Sequence, residues 1–139
     1  MVKIVLDTNI LVSAVISPEG PPARVLDMLA DGPVQLIISP AISAEYLDVL
    51  SRKKFGLSEA TARAMVSSLR KLAIEIVPSE PLRICTDRED DKFLECAAAA
   101  GAAYLVTGNL KHFPKVFGGV KIIGPAAFLR EPAGIDTTG

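Results

Sequence analysis

Short apolar runs alternate along this chain with longer amphipathic stretches. Residues 2–6 (VKIVL), 34–39 (VQLIIS), 74–77 (IEIV), 103–107 (AYLVT) and 120–123 (VKII) are brief and rich in β-branched side chains, which predicts five strands. Apolarity in these runs is nearly continuous rather than alternating, as expected of strands buried on both faces. Between them the apolar spacing lengthens to three and four residues. Helices are predicted over 8–17 (Ile10, Leu11, Val15), 23–31 (Val25, Leu26, Leu29), 41–52 (Ile42, Tyr46, Val49, Leu50) and 58–73 (Ala62, Met65, Val66, Leu69, Leu72). Two more follow over 91–100 (Phe93, Leu94, Ala97, Ala100) and, as a turn or two, over 126–130. Thr8 or Asn9 is placed to cap the first helix, Ser39 ahead of Pro40 the third and Ser58 the fourth, while Gly32-Pro33 and Gly101 stop the second and fifth.

Strands alternating with helices define an α/β fold: a three-layer α/β/α sandwich around a central, mostly parallel sheet of four to five strands, joined by right-handed crossovers. If the first strand is central and flanked by the second and fourth, the sheet reverses its direction of growth beside Asp7. Ligands bind at such a switch point, outside the carboxyl ends of the strands. Residues 1–132 form a single domain, 78–88 a polar loop, and 133–139 a flexible tail.

Composition narrows the function classes. Half of the 139 residues are hydrophobic, which excludes a disordered chain. A net charge of −1 and a pI near 5.8 give no global basic surface, so any polyanion site is local or carried by metal ions. Cys85 and Cys96 have no CxxC spacing and are expected to be reduced and packed. The apolar stretch 10–16 is too short to span a bilayer and follows no basic leader, so the expectation is a cytoplasmic protein without a membrane partner.

Four polar positions fall at one end of the inferred sheet: Asp7 after the first strand, Glu45 in the helix after the second, Asp91 opening the helix before the fourth, and Asn109 after the fourth. Clustered carboxylates raise one another's pKa and persist best around a hard cation, here Mg²⁺ or Mn²⁺. Asp7, Asp91 and Glu45 are the candidate metal ligands, with Asp90, Asn9 and Thr107 as secondary candidates. His112 is the single histidine, so no zinc set is present.

The chain resembles the PIN-domain family. The motifs that carry the resemblance are IVLDTNILVSA at 4–14, SPAISAEYLDVL at 39–50, DREDDKFLECAAAAGAAYLVTGN at 87–109 and IIGPAAFL at 122–129. It implies a metal-dependent endoribonuclease hydrolysing phosphodiester bonds of single-stranded RNA, the toxin of a toxin-antitoxin pair, with an antitoxin partner and a homodimeric state. It also implies roles for Asp7, Glu45 and Asp91 as the first, second and third acids, with Asp90 the alternative for the third, and Asn109 in the fourth place, where the family often has Asp. The family commonly has an acid near His112 as well. Both departures reduce the negative charge available to a second metal ion, and an RNA- or partner-binding PIN-like module with a weakened site is the alternative. A Rossmann-like phosphohydrolase fits less well, because the haloacid-dehalogenase type has a second Asp two residues after the first, where this chain has Asn9. Lys53, Lys54, Arg52, Lys111 and Lys115 lie in segments that could guide an RNA strand.

Overall fold

The computed structural model describes residues 1–131. The tail expected over 133–139, and the final residue assigned to the domain, lie outside the described residues. The strands are β1 (Val2–Leu6), β2 (Val34–Ile38), β3 (Ile74–Glu75), β4 (Tyr104–Val106), β5 (Val116–Phe117) and β6 (Val120–Ile123). The helices are α1 (Thr8–Ile16), α2 (Pro21–Asp31), α3 (Pro40–Leu50), α4 (Glu59–Leu72), α5 (Asp91–Ala100) and α6 (Pro125–Leu129). Among the described residues no helix is long and apolar enough to cross a membrane.

One sheet runs in the order β3-β2-β1-β4-β6-β5. β1 lies between β2 and β4, parallel to both, with Val2 opposite Val34 and Leu6 opposite Val106. The sheet therefore grows one way through β2 and β3 and the other way through β4 and β6, which places the switch point at the end of β1. Ile4, Val5 and Leu6 are consecutive and all fully buried, as are Leu36, Ile37 and Ile38 to within 1%. Successive strand residues point to opposite faces, so both faces of the sheet are covered. α5 packs over β1, β2 and β4 and against α3, α3 packs on α4 and α1, and α2 packs on α1, β2 and α6.

Three details differ from the sequence reading. The N-cap of α1 is Asp7, in extended backbone, because Thr8 and Asn9 are already helical. β3 is two residues long rather than four: it is an edge strand, and beyond Glu75 one further rung survives, from the Ile76 N–H to the Ile38 carbonyl (2.9 Å), before Pro78. A sixth, antiparallel strand, β5, pairs with β6 across a hairpin in which Gly118 and Gly119 both adopt positive φ. Ser39 and Ser58 cap α3 and α4 as expected, each side chain accepting a backbone N–H. Both cysteines are free, with Cys96 fully buried.

Candidate functional site

β1 turns directly into α1, which leaves Asp7 at the carboxyl edge of the innermost strand. The ladder runs to that edge: the Asp7 N–H donates to the Val106 carbonyl (3.0 Å) and the Thr107 N–H to the Ile123 carbonyl (2.9 Å). Asp7 is 6% exposed. Its Oδ2 accepts the Thr107 hydroxyl at 2.7 Å and its Oδ1 accepts the Asn9 N–H at 3.5 Å. Burial raises the Asp7 carboxyl above its ordinary value, and the charge of Glu45 adds to the rise; the Thr107 hydroxyl and the nearby amides pull the other way.

Glu45 is brought in by its neighbour. Tyr46 is fully buried in α3, and its hydroxyl donates to the Leu6 carbonyl at 2.6 Å, which ties the helix to the last residue of β1. Burial, then the charge of Asp7, pushes the Tyr46 phenol well up, so it is a committed donor. Glu45 lies one residue before it and has both oxygens engaged: Oε2 accepts the Thr8 hydroxyl, and Oε1 accepts the Lys92 ammonium at 2.5 Å.

The acidic run before α5 divides its labour. Asp87 caps the 3-10 turn Arg88–Asp90, its Oδ1 accepting the Glu89 N–H at 2.9 Å. Asp91 is buried, and its Oδ1 accepts the backbone amides of Ile84 (3.1 Å) and Cys85 (2.8 Å). Burial acts to raise its carboxyl, but the Cys85 and Ile84 amides overcome that and hold it below the ordinary value. Four residues on, Glu95 Oε2 takes the Leu82 N–H at 2.8 Å, so two acids of α5 fix the polar loop. Asp90 is different. Its Oδ2 is sealed from solvent with no hydrogen-bond donor and lies 3.3 Å from His112 Nδ1. The Asp90 carboxyl is pushed up to about 6 by burial first, then by the charges of Asp7, Asp87 and Glu45, with His112 opposing.

The structure thus brings Asp7, Glu45 and Asp90 into one another's field, braced by Thr8, Thr107, Lys92 and His112. It turns one oxygen of Asp91 onto the 84–85 backbone and leaves Asn109 exposed, with its N–H donating to Thr107 Oγ1 at 2.9 Å. Asn9 closes the neighbouring loop, its Oδ1 accepting the Gly108 N–H at 3.1 Å. Lys92 and Tyr46 carried no sequence signal beyond helix periodicity, and Thr8 was marked only as a candidate helix cap. His112 was visible only as a departure from an acidic position.

Among the described residues no three His, Cys, Asp or Glu side chains are drawn up into a ready coordination shell. Lys92 and Thr8 hold Glu45 in place. The donor set nevertheless suits a hard cation: carboxylate oxygens at one sheet edge, one of them, Asp90 Oδ2, buried and anionic without a donor. A cleft lined by Gly108, Asn109, Leu110, Lys111 and His112 adjoins this edge.

The PIN domain model matches residues 3–111, and the chain belongs to that family. Uncharacterized protein MJ1680 of Methanocaldococcus jannaschii is 30% identical over 112 residues, spanning 78% of this chain and 71% of that protein. Among solved structures, VapBC2 from Rickettsia felis, bound to a promoter DNA fragment, has a similar chain (TM-score 0.61, 21% identity, 88% of this chain and 98% of that one). DNA-bound VapBC from Salmonella typhimurium gives a TM-score of 0.61 at 16% identity over 89% of this chain and 98% of that one. VapBC-1 from nontypeable Haemophilus influenzae gives 0.55 at 17% identity over 79% and 89%. At these identities the likeness is one of fold.

Proposed function

We propose that this PIN-domain protein is a divalent-metal-dependent endoribonuclease that hydrolyses phosphodiester bonds of single-stranded RNA. The observation that carries the reading is the trio Asp7, Glu45 and Asp90 at the switch point, each raising or raised by another's charge, with one buried oxygen of Asp90 left without a donor. Asp7, Glu45 and Asp90 would hold Mg²⁺ or Mn²⁺, and Asp91, the sequence candidate for the third ligand, would instead anchor the loop at 84–85. A divalent cation bound there supplies Lewis acidity to the phosphate and acidifies the attacking water. Thr107 holds Asp7 in its rotamer, Thr8 and Lys92 orient Glu45, and His112 faces Asp90 from the cleft where a substrate phosphate would enter. Asn109, at the rim of that cleft, would contact substrate rather than metal.

The likeness to VapBC chains supports a toxin-antitoxin role with an antitoxin partner. A homodimer in the cytoplasm completes the proposal. The test is cleavage of a 5′-labelled single-stranded RNA by the purified chain with Mn²⁺, with EDTA and Asp7→Asn as controls. Cleavage lost in both controls supports the reading; no cleavage and no Mn²⁺ uptake by the wild type rejects it. One observation favours a second reading, an RNA- or partner-binding module: Lys92 and Thr8 occupy both oxygens of Glu45. In that case RNA is retained on a filter with or without Mn²⁺ and is not cut.

A further inference from the structure

We propose that the hollow between the 3-10 turn Leu110–His112 and the β5–β6 hairpin holds one unstacked base of the RNA strand, with Lys111 and Lys115 on the flanking phosphates. The proposal rests on the reading of the neighbouring acid cluster as an RNA-cutting centre. The hollow measures about 600 Å³, within the span of about 300–1,000 Å³ usual for small-ligand sites. Its apolar walls include Leu110, Phe113 and Val116, and its charged side chains are Lys111, Lys115 and Lys121. No carboxylate lines it among the described residues. Leu110 and Val116 are 51% and 60% exposed, so apolar surface here stands open to water. The backbone holds the shape without a ligand: the Phe113 N–H donates to the Leu110 carbonyl (3.2 Å) and closes the turn, and the Ile122 N–H donates to the Lys115 carbonyl (3.1 Å) and ties that segment to β6.

Charge and position choose the occupant. Lys121 is paired with Glu131 at 3.2 Å, whereas Lys111 and Lys115 have no ion-pair partner among the described residues. An apolar hollow beside two uncommitted cations complements a ligand with an apolar face and an anion on either side, which is the make-up of a nucleotide within a strand. Leu110 and Lys111 also line the cleft that runs past Asn109 and His112 to the acid edge. His112 meets Asp90 at 3.3 Å, and residues of a 3-10 turn project in three directions, so one turn serves both clefts. A strand with one phosphate at the acid edge therefore continues into the hollow. Apart from the ammonium groups the side chains of the hollow carry no hydrogen-bonding atoms, so it takes a base by its face and leaves the edge unread. Such a site is tolerant of sequence, and it rejects a duplex, whose bases are already stacked and paired.

Photo-crosslinking of the full chain to a single-stranded RNA carrying 4-thiouridine, in EDTA so that nothing is cut, tests the position of the strand. Cross-links are expected within residues 110–122; cross-links confined to other segments overturn the proposal. Val116→Glu puts a carboxylate in the hollow at an exposed position, and in Mn²⁺-dependent cleavage its KM is expected to rise about tenfold or more with kcat within about twofold. Ile16→Glu, at an exposed apolar residue outside the hollow, is expected to match wild type. Replacing both Lys111 and Lys115 by Ala is expected to flatten the plot of log affinity for RNA against log salt by about 1.4. An unchanged KM in Val116→Glu together with an unchanged salt slope, in a protein that still cuts RNA, overturns the proposal and leaves the nuclease reading standing. If RNA is bound and not cut, the nuclease reading fails, and the cross-links and salt slope still decide the proposal. A wild type that neither binds nor cuts RNA overturns both. Sedimentation in which Val116→Glu turns a dimer into a monomer assigns the hollow to a second copy of the chain and overturns the proposal.

Discussion

Asp90 and Asp91 are adjacent carboxylates with opposite fates: Asp91 Oδ1 accepts two backbone amides at 2.8 and 3.1 Å, while Asp90 Oδ2, buried 3.3 Å from His112 Nδ1, accepts none. A buried acceptor without a donor costs about 1–3 kcal/mol, so Asp90 is held where it is despite stability rather than for it. That pattern is expected of a residue kept for binding.

The two positions should therefore separate on substitution. Asp91→Ala leaves the Ile84 and Cys85 amides unpaired, and urea denaturation should show a loss of about 1–3 kcal/mol. Its Mn²⁺ affinity, measured under conditions where the variant is folded, should stay within a few-fold of wild type. Asp90→Asn should show the reverse, with a melting temperature equal to or above wild type and Mn²⁺ affinity down more than tenfold. If Asp91→Ala alone abolishes Mn²⁺ binding, the assignment of the third acid moves to Asp91.

Thr107→Val replaces a fully buried hydroxyl, the donor to Asp7 Oδ2, with a methyl of similar size. The Asp7 carboxylate then loses one of its two donors, and the expected destabilisation is about 1–3 kcal/mol, read from denaturant midpoints at constant m. Thr107→Ser keeps the hydroxyl and should recover most of the loss.

Tyr46→Phe removes the hydroxyl that donates to the Leu6 carbonyl without changing the apolar volume of the core. A loss of about 1–2 kcal/mol is expected in denaturant unfolding. Because Glu45 is the preceding residue, the variant should also weaken Mn²⁺ binding in titration, even though Tyr46 supplies no ligand.

Asp90 gives the metal-free protein a pH signature. With its carboxyl at about 6 in the fold and near 3.8 in the unfolded chain, the folded state binds more protons between those values. Stability therefore rises as pH falls from about 7 through 6, and the gain is complete near the unfolded value. Asp91, held below its ordinary value, has the opposite sign: its contribution is present above the unfolded value and is lost on further acidification. In EDTA, wild-type urea midpoints should climb relative to Asp90→Asn between about pH 7.5 and 5. Parallel curves for the two proteins would refute the placement of Asp90.

The α/β alternation was legible because strands such as Val2–Leu6 are continuous apolar runs that only double burial explains, and the position of Asp7 followed from where that run stops. The place of β1 between β2 and β4 entered only as a supposition, because alternation of strands and helices does not set strand order; the ladder meets it. β5 was hidden because a two-residue edge strand in a glycine hairpin has no period to detect. The choice between Asp90 and Asp91 turned on where the 3-10 turn gives way to α5. One residue of slip rotates a side chain by about 100° around a helix, and the acidic run does not mark that boundary. Lys92 and His112 owe their places to contacts across 47 and 22 positions, beyond the reach of any local pattern.

The hydrogen bond from Thr107 to Asp7 joins partners a hundred positions apart, and it has a consequence for biosynthesis. In a nascent chain still on the ribosome Asp7 is made well before Thr107, and its carboxylate lacks that donor until β4 has emerged and slid in beside β1. If the cluster cuts RNA, the growing polypeptide cannot complete its cutting site until the strand that leads to Thr107 has left the ribosome.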